Sequence, residues 1–151
     1  MMTDHTITFR IADEADIPLL LDLYRSLDVK GEIPLSESCA RTIFSEMQKN
    51  GVQKIHLAFC DKQCVGTFVL TILPYLVHAG QKAAILEDVV VHPDFRSQGI
   101  GRQMTLWVLE QSRLAGCYKL ALSSNQIRTE AHRFYEREGF TLHGYSYQTF
   151  L

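Results

Sequence analysis

Apolar and polar residues alternate from Ile7 to Ile11, which predicts a strand. The period then changes. Ile17, Leu20, Leu21, Tyr24 and Leu27 fall at i, i+3, i+4, i+7 and i+10, one stripe of an amphipathic helix. Asp13 suits its N-cap and Pro18 its first turn, while Lys30, Gly31 and Pro34 break it. Ser36 can cap a second helix, striped by Ala40, Ile43, Phe44 and Met47 and ended at Asn50-Gly51. Lys54 to Cys60 and Cys64 to Leu73 are apolar and β-rich; Asp61-Lys62-Gln63 joins them as a hairpin. After a loose connection from Pro74 to Gln81, Ala83 to Val91 gives the strongest strand signal, and Pro93 terminates it because proline cannot donate to a ladder.

Ile100, Met104, Trp107, Val108 and Leu114 or Ala115 stripe a third helix that Gly116 ends. Tyr118 to Leu122 reads as a short strand. Ser123, Ser124 and Asn125 offer caps for a fourth helix carrying Ile127, Ala131, Phe134 and Tyr135, closed by Gly139. Phe140 to Phe150 supplies one or two last strands. Three consecutive central strands imply an antiparallel meander, and the later β-α-β crossover a parallel pairing. The expectation is an α/β (α+β) fold: a mixed central sheet of six to seven strands flanked by about four helices.

The 151 residues suit one domain spanning 1–151. Hydrophobic content of 46% and charged content of 21% are those of an ordinary globular protein. A net charge of −2 sets aside nucleic acid and membrane surfaces as partners, since both call for a basic excess. No apolar run approaches the roughly 18 residues of a membrane helix. The opening MMTDHTITFRIADEAD has no basic region before an apolar stretch, so a cytoplasmic protein is expected. Cys60 and Cys64, with three residues between them, fit neither a redox CxxC pair nor a zinc knuckle and read as buried thiols. The six histidines show no ligand spacing, so no metal is expected.

The chemistry concentrates in Val89-Val90-Val91-His92-Pro93-Asp94-Phe95-Arg96-Ser97-Gln98-Gly99-Ile100-Gly101-Arg102. A buried strand enters a two-glycine turn and then a helix. Such a turn aims backbone N–H groups at one point beside the positive end of a helix dipole, a place for phosphate. Arg96 and Arg102 add positive charge. The run is not a P-loop, and Met104 stands where a dinucleotide fingerprint needs Gly or Ala. Upstream, Glu87 and Asp88 interrupt an apolar strand. Alternation sends one of them toward a cleft, where a buried carboxylate with a raised pKa could take a proton from an ammonium. Parity favours Glu87; a bulge at this point would make Asp88 the candidate.

Arg96-x-x-Gly99-x-Gly101 after a hydrophobic strand resembles the [QR]-x-x-G-x-[GA] signature of the GNAT (Gcn5-related) N-acetyltransferases. Ala131-His132-Arg133-Phe134-Tyr135-Glu136-Arg137-Glu138-Gly139-Phe140 is similar to that family's A-x-x-[LF]-Y-x-x-x-G-F segment, in the right order and at a family-like separation. The resemblance implies acetyl-CoA as cosubstrate and a primary amine as acceptor. Val89, Val90 and Val91 would line the pantetheine, with an N–H of Val89 or Val90 receiving the oxyanion. Ser97, Gln98, Gly99, Ile100, Gly101 and Arg102, with Arg96, would cradle the pyrophosphate. Tyr135 would protonate the departing thiolate, and Asn125 and Arg128 are further cofactor contacts. Arg128 stands where relatives carry Asn, and Ser97 where they carry Gly.

The acceptor is less defined. Some runs look like aminoalkylphosphonate acetyltransferases and others like glucosamine-phosphate acetyltransferases, which implies a small anionic amine. Arg25, Lys30, His78, His132, His143 and Tyr145 are candidates to hold it. The alternatives are a peptide or protein N-acetyltransferase and a non-catalytic acyl-CoA-binding module. Phe150 and Leu151 could pair with a second copy in a homodimer or finish the protein's own sheet.

Overall fold

A computed structural model describes residues 6–27 and 33–151. The chain divides into two compact units, 1–121 and 122–151. In the first, strands β1 (Ile7–Ile11), β2 (Gln53–Cys60), β3 (Gln63–Pro74), β4 (Lys82–Val91) and β5 (Cys117–Ala121) form one sheet in chain order. The first four are antiparallel neighbours, and β5 joins β4 in parallel. Helices α1 (Ile17–Tyr24) and α2 (Glu37–Asn50) connect β1 to β2, and α3 (Ile100–Leu114) makes the crossover to β5. The second unit holds α4 (Thr129–Arg137).

The elements end where local chemistry dictates. Asp13 accepts from the Ala15 amide at 2.8 Å, while Asp16 accepts from the Asp13 amide at 2.8 Å, a reciprocal capping pair. It opens a 3-10 turn (Glu14–Asp16) that leads into α1, and a second such turn (Arg25–Leu27) follows α1. Arg10 grips Asp16 through two bonds of 2.6 and 2.7 Å and holds its carboxyl below the usual range. Ser36 caps α2, and Gly51 closes it at φ +69°. Lys30 and Gly31, read as helix breakers, lie outside the described residues.

Alternation along the strands sorts two apolar layers. Ile55, Leu57, Val69 and Val90 face one side and pack with Leu20 and Leu23 of α1 and Ala40 and Phe44 of α2. The intervening residues make an aromatic layer: His56 stacks on Phe68 at 5.1 Å, and Trp107 of α3 meets both, at 5.2 and 5.8 Å. Burial pushes the His56 imidazole below its ordinary pKa, so it sits in the fold uncharged. The unfolded chain then binds more protons than the folded one once pH falls below about 6.5. Stability is therefore complete above that pH and declines as pH drops toward the lowered folded value. Urea melts from pH 8 to 5 should show this slope, and His56→Phe, which continues the stack, should flatten it.

Among the described residues the sheet has five strands, not six to seven. Residues 140–151 form no strand. The Phe140 amide bonds back to the Tyr135 carbonyl, closing the helix end, and Tyr145, Tyr147, Phe150 and Leu151 stand exposed. Alternation alone was a short signal there, and no ladder partner takes it up. The fourth helix also begins later than its capping residues suggested, at Thr129. Asn125 instead builds the preceding turn, accepting from the Ile127 amide at 3.1 Å.

Candidate functional site

The β3–β4 pairing breaks at one place. Thr67 faces Val90 and Val69 faces Glu87, so Asp88 and Val89 share the space opposite Phe68. This is a bulge on β4, and Asp88 adopts φ +48° within it. Bulging leaves a β4 amide outside the ladder. It also breaks parity: Glu87 and Val90, three residues apart, both face the side of α1 and α2 through their partners Val69 and Thr67. Neither carboxylate is buried, contrary to the expectation of a buried acid, because the bulge turns this stretch out of the packed layer. Parity favoured Glu87; a bulge was the condition under which Asp88 becomes the candidate, and the bulge is present.

The opposite edge of β4 opens in the same region. Parallel pairing to β5 runs from Lys82↔Cys117 to Ile85↔Ala121 and stops. Beyond Ile85, no strand among the described residues pairs with this edge. Val90 is buried in the core, and Val89 and Val91 are half-buried. Gly66 lets β3 approach here: a Cβ at that position would meet the Val90 carbonyl oxygen at 2.7 Å.

The strand then runs into the glycine turn. A 3-10 turn (Pro93–Phe95) follows, braced by Arg96 Nε donating to the Val91 carbonyl at 3.2 Å and by the Gln98 amide group donating to the Asp94 carbonyl at 3.0 Å. Gly99 takes φ +81° as the N-cap of α3, and no side chain caps that helix. Nothing lies within 4 Å of where a Cβ on Gly99 would stand, so the turn is open above this residue. Amides at a helix start with room above them suit a phosphate. Ser97, Gln98 and Arg96 are exposed around the turn, and Ile100 is buried beneath it.

Ser97 also takes a left-handed conformation, φ +61°, the kind of position that favours glycine. Ser97→Gly should therefore stabilise the protein by about 0.5–1 kcal/mol, the relief of strain less the added freedom of the unfolded chain. Thermal melts check this.

In the second unit, Tyr135 lies on α4 between Phe134 and Phe140, whose rings stand edge-on at 5.1 and 5.5 Å. Burial raises its phenol pKa, and the Arg128 charge pulls the other way. Its phenol is therefore protonated at neutral pH. Asn125 spends its side chain on its own turn, and its carbonyl bonds the His132 ring at 2.9 Å. Arg128 is the exposed N-cap of α4.

The acceptor candidates do not gather at one place within either unit. In the first unit, Arg25 pairs with Asp22 at 3.2 Å and His78 lies 4.4 Å from the Tyr118 ring. In the second, His132 is held in the Asn125 turn, and His143 and Tyr145 are exposed. Lys30 lies outside the described residues. Among the described residues, no group of three His, Cys, Asp or Glu side chains could hold a metal, and no helix is long and apolar enough to cross a membrane. Thr67, which sequence reasoning did not single out, faces Val90 beside the bulge and donates to the His56 carbonyl at 2.8 Å.

The bulged β4, with no strand among the described residues paired to its edge beyond Ile85, runs through a glycine turn into α3 of an α/β fold. Residues 20–140 match the model of the Acetyltransferase (GNAT) family. Over 146 residues the chain is 32% identical to glucosamine 6-phosphate N-acetyltransferase of Trypanosoma brucei brucei, covering 94% of this chain and 95% of that protein. It is 40% identical over 84 residues to aminoalkylphosphonate N-acetyltransferase of Salmonella typhimurium, covering 56% of this chain and 54% of that one. A solved protein of Agrobacterium tumefaciens strain C58 superposes with a TM-score of 0.88 at 30% identity, covering 95% of this chain and 99% of that chain. The chain belongs to the GNAT acetyltransferase family.

Proposed function

We propose that residues 1–151 work as one N-acetyltransferase domain that moves an acetyl group from acetyl-CoA to the primary amine of a small, phosphorylated or phosphonate-bearing metabolite. One observation carries the reading: the free edge of β4 beyond Ile85 leads directly into the open turn at Gly99. An extended pantetheine can add to such an edge as a strand does, along Val89, Val90 and Val91. Its pyrophosphate would then lie on the amides from Ser97 to Arg102, with Arg96 beside them. The two relatives named for phosphorylated or phosphonate-bearing amines support the acceptor class.

The residues divide the work. The amine attacks the thioester carbonyl in a ternary complex; the C–N bond forms as the C–S bond breaks. The bulge amide at Val89 or Val90 receives the oxyanion charge that develops. Asp88, with Glu87 beside it, accepts the proton that the ammonium loses, directly or through water. Tyr135 hands its phenolic proton to the departing thiolate. Asn125 and Arg128 stand as further coenzyme contacts. Positioning and the oxyanion site supply most of the acceleration.

The deciding experiment is thiol release from acetyl-CoA with glucosamine 6-phosphate, aminoalkylphosphonates, polyamines, amino acids and peptides. Turnover confined to the phosphorylated or phosphonate amines supports the reading. Turnover with peptides alone overturns the acceptor class, and tight coenzyme A binding with no turnover overturns the enzyme.

A further inference from the structure

Strand β3 meets an irregularity on each of its two sides, and the two lie close together. Against β2 the register shifts between Ala58↔Gly66 and Phe59↔Cys64, which leaves Val65 as an extra residue. The Val65 carbonyl accepts from the His92 amide, just past β4, at 2.9 Å. Against β4 the register shifts after Thr67↔Val90, where Asp88 and Val89 share the space opposite Phe68. Between the two bulges only Gly66 and Thr67 pair with both neighbours: Gly66 with Ala58 and Val91, Thr67 with Leu57 and Val90. A one-residue slip here would send Val90 to the other face of the sheet. Two features oppose it. A Cβ at Gly66 would lie 2.7 Å from the Val90 carbonyl oxygen and 3.1 Å from Met104 Sδ of α3. A slip in either direction would bring the Cβ of Val65 or Thr67 to that place. Thr67 itself is fully buried, and its Oγ1 donates to the His56 carbonyl at 2.8 Å. Its ladder partners Leu57 and Val90 belong to the apolar layer, where an unpaired hydroxyl is costly. A slip would carry the hydroxyl to the other face, away from this carbonyl.

We propose that Gly66 and Thr67 form a register lock, two positioning residues that fix which β4 amide the bulge leaves free for the thioester carbonyl. Its catalytic consequence rests on the acetyltransferase reading; the lock itself belongs to the ligand-free fold. Neither residue touches a substrate, and both act through β4. The Thr67 hydroxyl holds β3 on β2, and Gly66 seats β3 against the Val90 carbonyl. The His92–Val65 bond ties down the end of β4, where the chain enters the glycine turn. Bulge and turn are thus fixed to one short stretch of β3, which sets the spacing between the oxyanion amide and the phosphate turn along the coenzyme. Loss of the Thr67 donor loosens the aim of the bulge amide. That costs more in the transition state, where the oxyanion charge develops, than in binding acetyl-CoA, so the effect falls on kcat.

Thr67→Val keeps the shape of the side chain and removes the donor. In the ligand-free protein, amide hydrogen exchange over residues 88–92 should quicken at least about tenfold in this variant, while Ile7–Ile11 keep their rates. Thr67→Ser keeps the donor and should restore the slow exchange. Thr67→Cys, a weak donor of similar size, should fall between, and it takes the place of Thr67→Val if that variant does not fold. The second readout is the infrared stretch of acetyl-CoA labelled with 13C at the thioester carbonyl. Bound to the wild type, it should lie below its free value, because the bulge amide polarises the carbonyl. Much of that displacement should vanish in Thr67→Val and return in Thr67→Ser. With glucosamine 6-phosphate as acceptor, kcat should fall about tenfold in Thr67→Val, the worth of one buried hydrogen bond, with the KM for acetyl-CoA unchanged. Exchange that quickens evenly over all five strands, or a wild-type carbonyl stretch and kcat in Thr67→Val, overturns the lock. A wild-type protein that neither displaces the acetyl-CoA carbonyl stretch nor acetylates any amine removes the acetyltransferase reading instead. Exchange over 88–92 then decides the lock by itself, quickened locally if it holds and unchanged if it does not.

Discussion

Tyr135→Phe is expected to lower kcat at least about 100-fold, the usual worth of a positioned general acid. In the proposed role, the Tyr135 phenol donates its proton to the sulfur as negative charge develops on it. Burial raises the phenol pKa, so at neutral pH the group is fully in its donating form. Phenylalanine keeps the edge contacts to Phe134 and Phe140, so folding should change by no more than about 1 kcal/mol. Acetyl-CoA affinity, measured by calorimetry without acceptor, should be unaltered. The discriminating measurement changes the leaving group. The selenoester analogue of acetyl-CoA expels a selenolate that needs no proton to leave. If Tyr135 is the acid, the loss in Tyr135→Phe shrinks with this donor; if the residue only packs α4, the loss is the same with both donors.

Much of the fold was legible because its periodicities are strong and its punctuation is chemical. Ile7–Ile11, the Ser36 cap, the Gly51 stop and the Asp61-Lys62 hairpin each combine a pattern with a residue that enforces it. The glycine turn was legible for the same reason: Gly99 occupies a backbone region that other residues avoid. The strands expected over residues 140–151 did not form, since Tyr145 and Tyr147 alternate over too few residues to define a ladder, and a ladder requires a partner that no local pattern names. The bulge was foreseeable only as an alternative. A two-residue acidic interruption in an apolar strand carries no mark that distinguishes a bulge from simple alternation.

Gly99→Val is expected to weaken coenzyme A binding about 100-fold. Two costs combine. The turn needs φ +81° at this residue, which a β-branched side chain reaches only with strain of about 1–3 kcal/mol, so the following amides must re-aim. The open space above Gly99, where a phosphate oxygen would approach, would also fill with methyl groups. Acetyl-pantetheine separates this local effect from general damage, because it carries the thioester and lacks the pyrophosphate. Its kcat/KM should hardly change in Gly99→Val, and the ratio of acetyl-CoA to acetyl-pantetheine efficiency should collapse. Equal losses with the two donors would instead mean that the substitution disturbs β4 itself. Gly99→Asn then divides the two costs. Asparagine tolerates a left-handed backbone but still places a side chain over the turn. Affinity retained in Gly99→Asn makes conformation the decisive property of this glycine; affinity lost as in Gly99→Val makes it the room that a missing Cβ leaves for phosphate.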